Sequence, residues 1–259
     1  MQEGESGRFT SFDGTGIAFD RWPGERGPVV LHHGFEADGR QNWVRPGLAA
    51  KLLDLGFGLV VVDARGHGRS DKSYDPADYG EPVMARDVSS LADHLGLESW
   101  MQVGYSMGGI VSLFVAIEDP RVTRLVVGGI GAGVVELGGL DTRVVPRKAV
   151  AEALESEGNG AEISPAAARF RAFAESTGAD RRALAACARG AFRERVALER
   201  ITVPTLVVAG ERDDLARRPE ILAGAIAGAR LTVVPGDHLG AVGDPALAQA
   251  ITDFLEESP

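Results

Sequence analysis

Short apolar runs alternate with amphipathic segments along most of this chain, and this alternation limits the folds that are open to it. The runs are rich in valine and hold few polar residues, as in strands that are covered on both faces of a sheet. They span 28–33, 57–63, 100–105, 124–130, 204–209 and 230–234. Helices are predicted between or after them, at 42–55, 82–95, 106–118 and 245–257. This order predicts a mostly parallel sheet with helices on both faces.

Two more strands, at 8–12 and 17–22, precede the first apolar run, and Asp13 and Gly14 lie at the turn between them. Asp-Gly is typical of a tight hairpin, because such a turn needs positive φ angles. The hairpin should add antiparallel strands at one edge of the sheet. We therefore predict an α/β fold with a mostly parallel, eight-stranded central sheet.

Residues 131–200 interrupt the alternation, because they contain no convincing strand. Helical patterns occur at 145–157, 165–176 and 180–195, with Gly-Asn-Gly at 158–160 between the first two. A stretch of about 70 residues is far longer than an ordinary connection. We interpret it as a small helical cap inserted into a core made of residues 1–130 and 201–259, with a crossover helix and a long loop as the alternative.

The net charge and the cysteine content limit the kinds of partner and the cellular compartment that we expect for this protein. The net charge of −10 disfavours nucleic acid or an anionic membrane surface as a partner. The single cysteine, Cys187, cannot form an internal disulfide. The first residues resemble no signal peptide, and no run of roughly 18 apolar residues suggests a membrane span. We expect a cytoplasmic protein with no nucleic-acid or membrane partner, and leave its oligomeric state open.

Residues 104–108 read Gly-Tyr-Ser-Met-Gly, directly where a predicted strand gives way to a predicted helix. A serine on so tight a turn takes strained backbone angles, and small neighbours let the chain pass closely. The helix N-terminus then offers N–H groups to a developing negative charge. This context predicts that Ser106 is a catalytic nucleophile, with an inert serine in a glycine-rich turn as the alternative.

A serine hydroxyl needs a general base, and that base needs an orienting acid. Of the five histidines, only His238 follows the last predicted strand, and the carboxyl ends of strands are where functional groups of such sheets gather. The acid should come before the histidine in the chain. Asp213 follows the strand at 204–209, with Asp214 as second choice. The predicted triad is therefore Ser106, Asp213 and His238.

The oxyanion hole needs two backbone donors that point at the tetrahedral oxygen. We expect one to be the N–H of Met107 and the other the N–H of Phe35, in the turn that Gly34 permits. No metal-ligand spacing is visible, and no metal or other cofactor is expected. Three side chains are candidate walls of a substrate pocket, with core packing or shaping of the loop as the alternative: Tyr105, Trp43 and His33.

In these motifs the chain resembles the α/β-hydrolase family, over roughly residues 8–130 and 201–257. The matching pieces are residues 33–35, 63–70, 104–109, 210–213 and 236–238, in the family's order. The resemblance implies hydrolysis through an acyl-enzyme on Ser106, without a cofactor. One departure is Asp237, since family members usually have glycine before the histidine.

The serine at the turn argues against the haloalkane dehalogenases and epoxide hydrolases of this family, which use aspartate there. It leaves esterases, thioesterases, lactonases, carbon–carbon bond hydrolases and cofactor-free perhydrolases. The short insertion favours a small to medium acyl group. We therefore expect a carboxylic-ester hydrolase that acts on a small-molecule ester. A carbon–carbon bond hydrolase, a perhydrolase and a non-catalytic ligand receptor of the same fold remain alternatives.

Overall fold

The computed structural model describes residues 4–157 and 163–257, so the predicted separator at 158–160 lies outside the described residues. Within them, eight strands form one sheet in the order β1-β2-β4-β3-β5-β6-β7-β8. The strands are β1 (Glu5–Thr10), β2 (Gly16–Trp22), β3 (Arg26–His32), β4 (Phe57–Val62), β5 (Trp100–Tyr105), β6 (Val122–Gly128), β7 (Thr205–Gly210) and β8 (Arg230–Val234). The hairpin β1–β2 lies antiparallel at one edge, and β3 to β8 run parallel. The predicted fold class is confirmed.

Helices cover both faces of this sheet. They are α1 (Leu48–Asp54), α2 (Glu81–Leu95), α3 (Met107–Glu118), α4 (Ala132–Leu137), α5 (Arg147–Glu155), α6 (Pro165–Thr177), α7 (Arg181–Gly190), α8 (Pro219–Ala225), α9 (Gly240–Gly243) and α10 (Pro245–Glu256). In the described ranges, none of them combines the length and the hydrophobicity that a membrane-spanning segment requires.

Adjacent residues of a strand pack in two separate core layers, because successive side chains of a strand point to opposite faces of the sheet. Val29 and Leu31 of β3 pack in a layer that contains residues of α1 and α10. Val30, which lies between them, packs in the layer that contains residues of α2 and α3. Strands covered on both faces must be apolar throughout, and this explains why their positions could be predicted from the sequence.

The helix predicted at 42–55 is divided in the structure. A π-helical turn covers Arg40–Val44, and α1 begins only at Leu48. Between them lie Pro46, which has no N–H to donate, and Gly47, whose φ of 98° lies in the left-handed region. The two residues end one helical segment and allow the chain to start another in a new direction.

Residues 131–200 carry α4 to α7, and α5, α6 and α7 share a small apolar core of their own. The helix predicted at 180–195 ends earlier, at Gly190. Two residues later the N–H of Phe192 is donated to the Glu81 carboxyl at 2.6 Å, a long-range bond that replaces the next helical one. To act as a cap, this segment must cover the candidate active site.

Candidate active site

Ser106 lies at the turn between β5 and α3 in a strained conformation, with φ 56° and ψ −118°. A side chain at Gly104 would collide with the carbonyl of Gly108, and one at Gly108 would collide with the carbonyl of His32. The turn therefore depends on both glycines. The Ser106 N–H is donated to the Gly128 carbonyl at 2.7 Å, which fixes the turn to β6. The strain is the kind that functional turns carry when the surrounding structure supports it.

The structure brings Ser106, His238 and Asp213 together in one hydrogen-bonded chain. Ser106 Oγ lies 2.9 Å from His238 Nε2. His238 Nδ1 lies 2.8 Å and 2.9 Å from the two oxygens of Asp213. An ionised carboxylate can only accept, so the imidazole proton belongs on Nδ1 and Nε2 is free to accept from the serine. The three residues lie just after the ends of β5, β7 and β8, which are parallel strands that end at the same edge of the sheet.

Asp213 is held in place by its own loop. Its side chain is fully buried, and Oδ1 accepts the N–H groups of Leu215 and Ala216 at 2.9 and 3.1 Å. Asp214, the second choice for the acid, points outward instead and forms an exposed ion pair with Arg217. The turn thus buries the Asp213 carboxylate and leaves the adjacent Asp214 carboxylate exposed to solvent.

Two contacts fix the loop that carries His238. The Tyr105 hydroxyl donates to the His238 carbonyl at 2.7 Å, and the rings of these two residues are 5.3 Å apart. Asp237, the departure from the family pattern, accepts the N–H of Gly240, the first residue of the short helix α9, at 2.8 Å. Its carboxylate therefore has a structural partner on the loop itself.

The loop after β3 approaches the nucleophile closely. A Cβ at Gly34 would lie 3.2 Å from the Ser106 Cβ, so a larger residue would press on the turn. Within the described residues, the N–H groups of Phe35 and Met107 donate to no acceptor. They are available to the oxygen of a bound carbonyl group, as an oxyanion hole requires.

His33 shapes this loop. Its Nε2 accepts the Ala64 N–H at 2.9 Å, so its proton is on Nδ1, which donates to the Gly34 carbonyl at 2.7 Å. Burial lowers the pKa of His33, in keeping with a neutral ring. The neighbouring His32 and His67 are also buried, and burial lowers the pKa of each to about 3.

A cavity of about 650 Å³, including its open mouth, lies beside the site. The side chains of Phe35 and Met107 form part of its wall. The opposite wall comes from residues 131–200, and the rings of Phe35 and Phe170 are 6.3 Å apart. The other apolar lining residues are Met84, Leu140, Val145, Val150, Cys187, Ala188, Ala191 and Leu215. The sequence does not distinguish the lining residues of this opposite wall from ordinary core residues.

The three predicted pocket residues do not line this cavity. Trp43 is 1% exposed and packs in the core layer beneath α1. Tyr105 holds the His238 loop, and His33 holds the loop after β3. For these three residues the structure therefore favours the alternative of core packing and loop shaping.

Glu36, next to Phe35, was not singled out in the sequence. It has a φ of 65° and is only 3% exposed. Its Oε1 accepts no hydrogen bond from the described residues. Burial raises the pKa of this carboxyl to about 9. No sequence pattern distinguishes such a residue from an exposed loop glutamate.

Over residues 4–157 and 163–257, no three His, Cys, Asp or Glu side chains are grouped so that they could hold a metal ion.

Comparison with known proteins agrees with this architecture. A family model described as the alpha/beta hydrolase fold matches residues 27–136. A hydrolase from Pseudomonas aeruginosa superimposes with a TM-score of 0.76 at 28% identity, over 99% of this chain and 100% of that one. The chain therefore has the α/β-hydrolase fold.

Two curated relatives match part of the chain. The non-heme chloroperoxidase of Streptomyces lividans is 36% identical over 123 residues, which is 46% of this chain and 43% of that protein. A bifunctional esterase/perhydrolase of Acinetobacter calcoaceticus is 35% identical over 104 residues, 40% of this chain and 36% of that protein. The match thus spans less than half the length of either relative.

Proposed function

We propose that this protein is a serine hydrolase that cleaves small to medium carboxylic esters through an acyl-enzyme on Ser106. The observation that carries the proposal is the hydrogen-bonded chain from Ser106 Oγ through His238 to Asp213, with separations of 2.9 and 2.8 Å. A strained turn presents the serine, and an apolar cavity lies beside it.

The proposed reaction begins when His238 Nε2 takes the Ser106 proton as Oγ attacks the ester carbonyl carbon. The oxygen that becomes negative accepts hydrogen bonds from the N–H groups of Phe35 and Met107. The imidazolium then gives its proton to the leaving alcohol. Water then attacks the acyl carbonyl carbon as Nε2 takes its proton, and Nε2 gives this proton to Ser106 Oγ as the bond to the serine breaks and the acid leaves. Asp213 stabilises the imidazolium and keeps the second ring proton on Nδ1 throughout.

We also propose that residues 131–200 act as a cap on a core formed by residues 1–130 and 201–259. Support comes from the lining of the cavity, to which Val145 and Val150 contribute from one side and Met107 from the other. A cavity enclosed between these two walls favours acyl groups of small to medium size.

Perhydrolysis is a second candidate, because the relatives include a chloroperoxidase and an esterase/perhydrolase. In this reaction hydrogen peroxide would replace water as the nucleophile that attacks the acyl-enzyme, and a peracid would leave. The same Ser106, His238 and backbone donors would serve, so the two candidates differ only in the second step.

The test is the rate of hydrolysis of p-nitrophenyl acetate, butyrate and octanoate by the wild type and by Ser106→Ala. We expect a loss of several orders of magnitude, because only binding and the oxyanion hole remain. Ser176→Ala, in the exposed part of α6, is the matched control and should keep the wild-type rate. Peracid formation from acetate and hydrogen peroxide, measured in parallel, decides the second candidate.

A folded wild type that is as slow as Ser106→Ala on every ester would contradict the esterase proposal. If Ser106-dependent peracid formation were then found, perhydrolysis would replace it. If neither reaction occurred, a carbon–carbon bond hydrolase or a non-catalytic ligand receptor would be the better description of the site.

A further inference from the structure

The cavity beside Ser106 has an apolar wall that carries one guanidinium group. Arg147 contributes to the same lining as Phe35 and Met107, the residues that adjoin the nucleophile. It is the first residue of α5, and Val150, one turn further on, also faces the cavity. An arginine in such a wall is unusual, because a charge removed from water needs a partner.

Arg147 has hydrogen-bonding capacity that the fold leaves unused. Its Nη1 donates to the Phe192 carbonyl at 2.7 Å. Among the described residues, no carboxylate forms an ion pair with it. A guanidinium has five N–H donors in a planar fork, so several remain for a ligand. Burial also lowers the pKa of this group.

The other charged groups of the lining are already accounted for. Asp141 accepts Arg143 Nε and Nη2, each at 2.7 Å, and forms a closed pair with it. Glu81 is 4% exposed and accepts the Phe192 N–H at 2.6 Å; burial raises its pKa, and the charge of Arg147 opposes this shift. Glu81 therefore attracts Arg147 electrostatically, but no hydrogen bond or ion pair between the two occupies the remaining guanidinium N–H donors.

The geometry also says which part of an ester enters the cavity. The leaving alcohol must stay near His238 Nε2 to receive a proton. His238 is not part of the lining, whereas the side chains on both sides of the oxyanion hole are. The alcohol therefore leaves on the His238 side, and the acyl chain lies in the cavity and runs towards α5.

We propose that Arg147 is a specificity-determining residue that binds a carboxylate at the far end of the acyl chain. The preferred substrate is then an ester or lactone whose acyl part ends in a carboxylate, which the guanidinium binds through two parallel N–H donors. This proposal rests on the proposed function, since it assumes that the acyl chain is attached to Ser106.

The test compares two esters of the same chain length, mono-4-nitrophenyl adipate and its methyl-capped analogue, 4-nitrophenyl methyl adipate. The readout is the ratio of their kcat/KM values. In the wild type the ratio should favour the carboxylate, and in Arg147→Met it should fall about tenfold to a hundredfold, as expected for a lost hydrogen bond between charged groups. The change should lie mainly in KM, because Arg147 does not touch the reacting atoms.

Lys148→Met is the matched control, because it removes one positive charge from the adjacent position of α5, where the lysine side chain is 85% exposed. It should leave the ratio within about twofold of the wild type, since exposed charges are well screened. If Arg147 only anchored Phe192, Arg147→Met would slow both esters alike and leave the ratio unchanged. That result, or an equal fall in Lys148→Met, would overturn the proposal.

Two further outcomes separate this proposal from the proposed function. If the wild type hydrolyses the neutral ester with Ser106 but shows no preference for the carboxylate, the carboxylate subsite is wrong and the esterase proposal stands. If it hydrolyses neither ester, calorimetric binding of monomethyl adipate and dimethyl adipate tests the subsite alone. Binding of the monoanion about tenfold or more tighter, lost in Arg147→Met, would support it, and equal binding would refute it.

A variant that fails to fold does not block the test. Thermal unfolding followed by circular dichroism would identify such a failure. Arg147→Lys, which keeps the charge but not the planar fork, then replaces Arg147→Met and should lower the ratio by a smaller factor. An unchanged ratio in Arg147→Lys would contradict two-point binding by the guanidinium.

Discussion

Glu36 makes the stability of this protein depend on pH in a way that one substitution should remove. The carboxyl is 3% exposed, and its Oε1 has no partner among the described residues. Burial raises its pKa from an ordinary 4.5 to about 9. In the folded protein the group therefore stays protonated at neutral pH, whereas in the unfolded chain it is ionised.

The sign of the effect follows from this difference. Between about pH 4.5 and pH 9 the folded state holds one proton more than the unfolded state, so stability falls as the pH rises. Each pH unit well inside this window costs up to about 1.4 kcal/mol. Glu36→Gln has no proton to lose, so its stability relative to the wild type should increase by about 2.5 kcal/mol between pH 5 and pH 7.

The assay is urea unfolding of both proteins at pH 5, 6, 7 and 8, with the difference in unfolding free energy plotted against pH. The other titrating groups are common to both proteins, so their contributions cancel in the difference in unfolding free energy. Glu25→Gln, at an exposed position in the loop before β3, controls for the change in net charge. A difference between Glu36→Gln and the wild type that stayed constant over this range would refute the argument from burial.

Two further predictions concern the acid and the buried ion pairs. Asp213→Asn should lower kcat about 10⁴-fold with little change in stability, because an amide can donate to Nδ1 and reverse the tautomer, whereas Asp214→Asn should keep its activity. Equal losses in the two variants would contradict the assignment of the acid. Arg65→Met should lower the unfolding free energy by about 3–5 kcal/mol, because Asp87 would lose two bonds of 2.7 Å and remain as a buried charge. Arg8→Met, which breaks an exposed ion pair, should cost less than about 1 kcal/mol, and a similar cost for both in urea unfolding would refute the role of burial.

The parallel sheet was predictable from the sequence because of where it is buried. Strands such as β4, which is buried along its whole length, must be apolar at every position and so differ from their surroundings. The turn at Ser106 was predictable for another reason, since only small neighbours fit there. Parallel topology then brings Asp213 and His238 to the same edge of the sheet, although they are far from Ser106 in the chain.

Features that depend on packing between distant segments were not predictable in this way. The roles of Trp43 and Tyr105 depend on which face of the loop or strand meets the core. From the sequence alone, a large aromatic residue is equally compatible with a pocket wall and with the core. The position of Arg147 depends on how α5 lies over the sheet. The burial of Glu36 depends on a single left-handed residue in a loop, for which the sequence holds no pattern.

The most direct test of the central claim is covalent labelling by a fluorophosphonate, which reacts with an activated serine. Intact-mass measurement of the wild type should show one adduct, and peptide mapping should assign it to Ser106. Ser106→Ala should remain unlabelled, and His238→Ala should react much more slowly because the serine has lost its base. A folded wild type that is not labelled, or an adduct that persists in Ser106→Ala, would contradict the account.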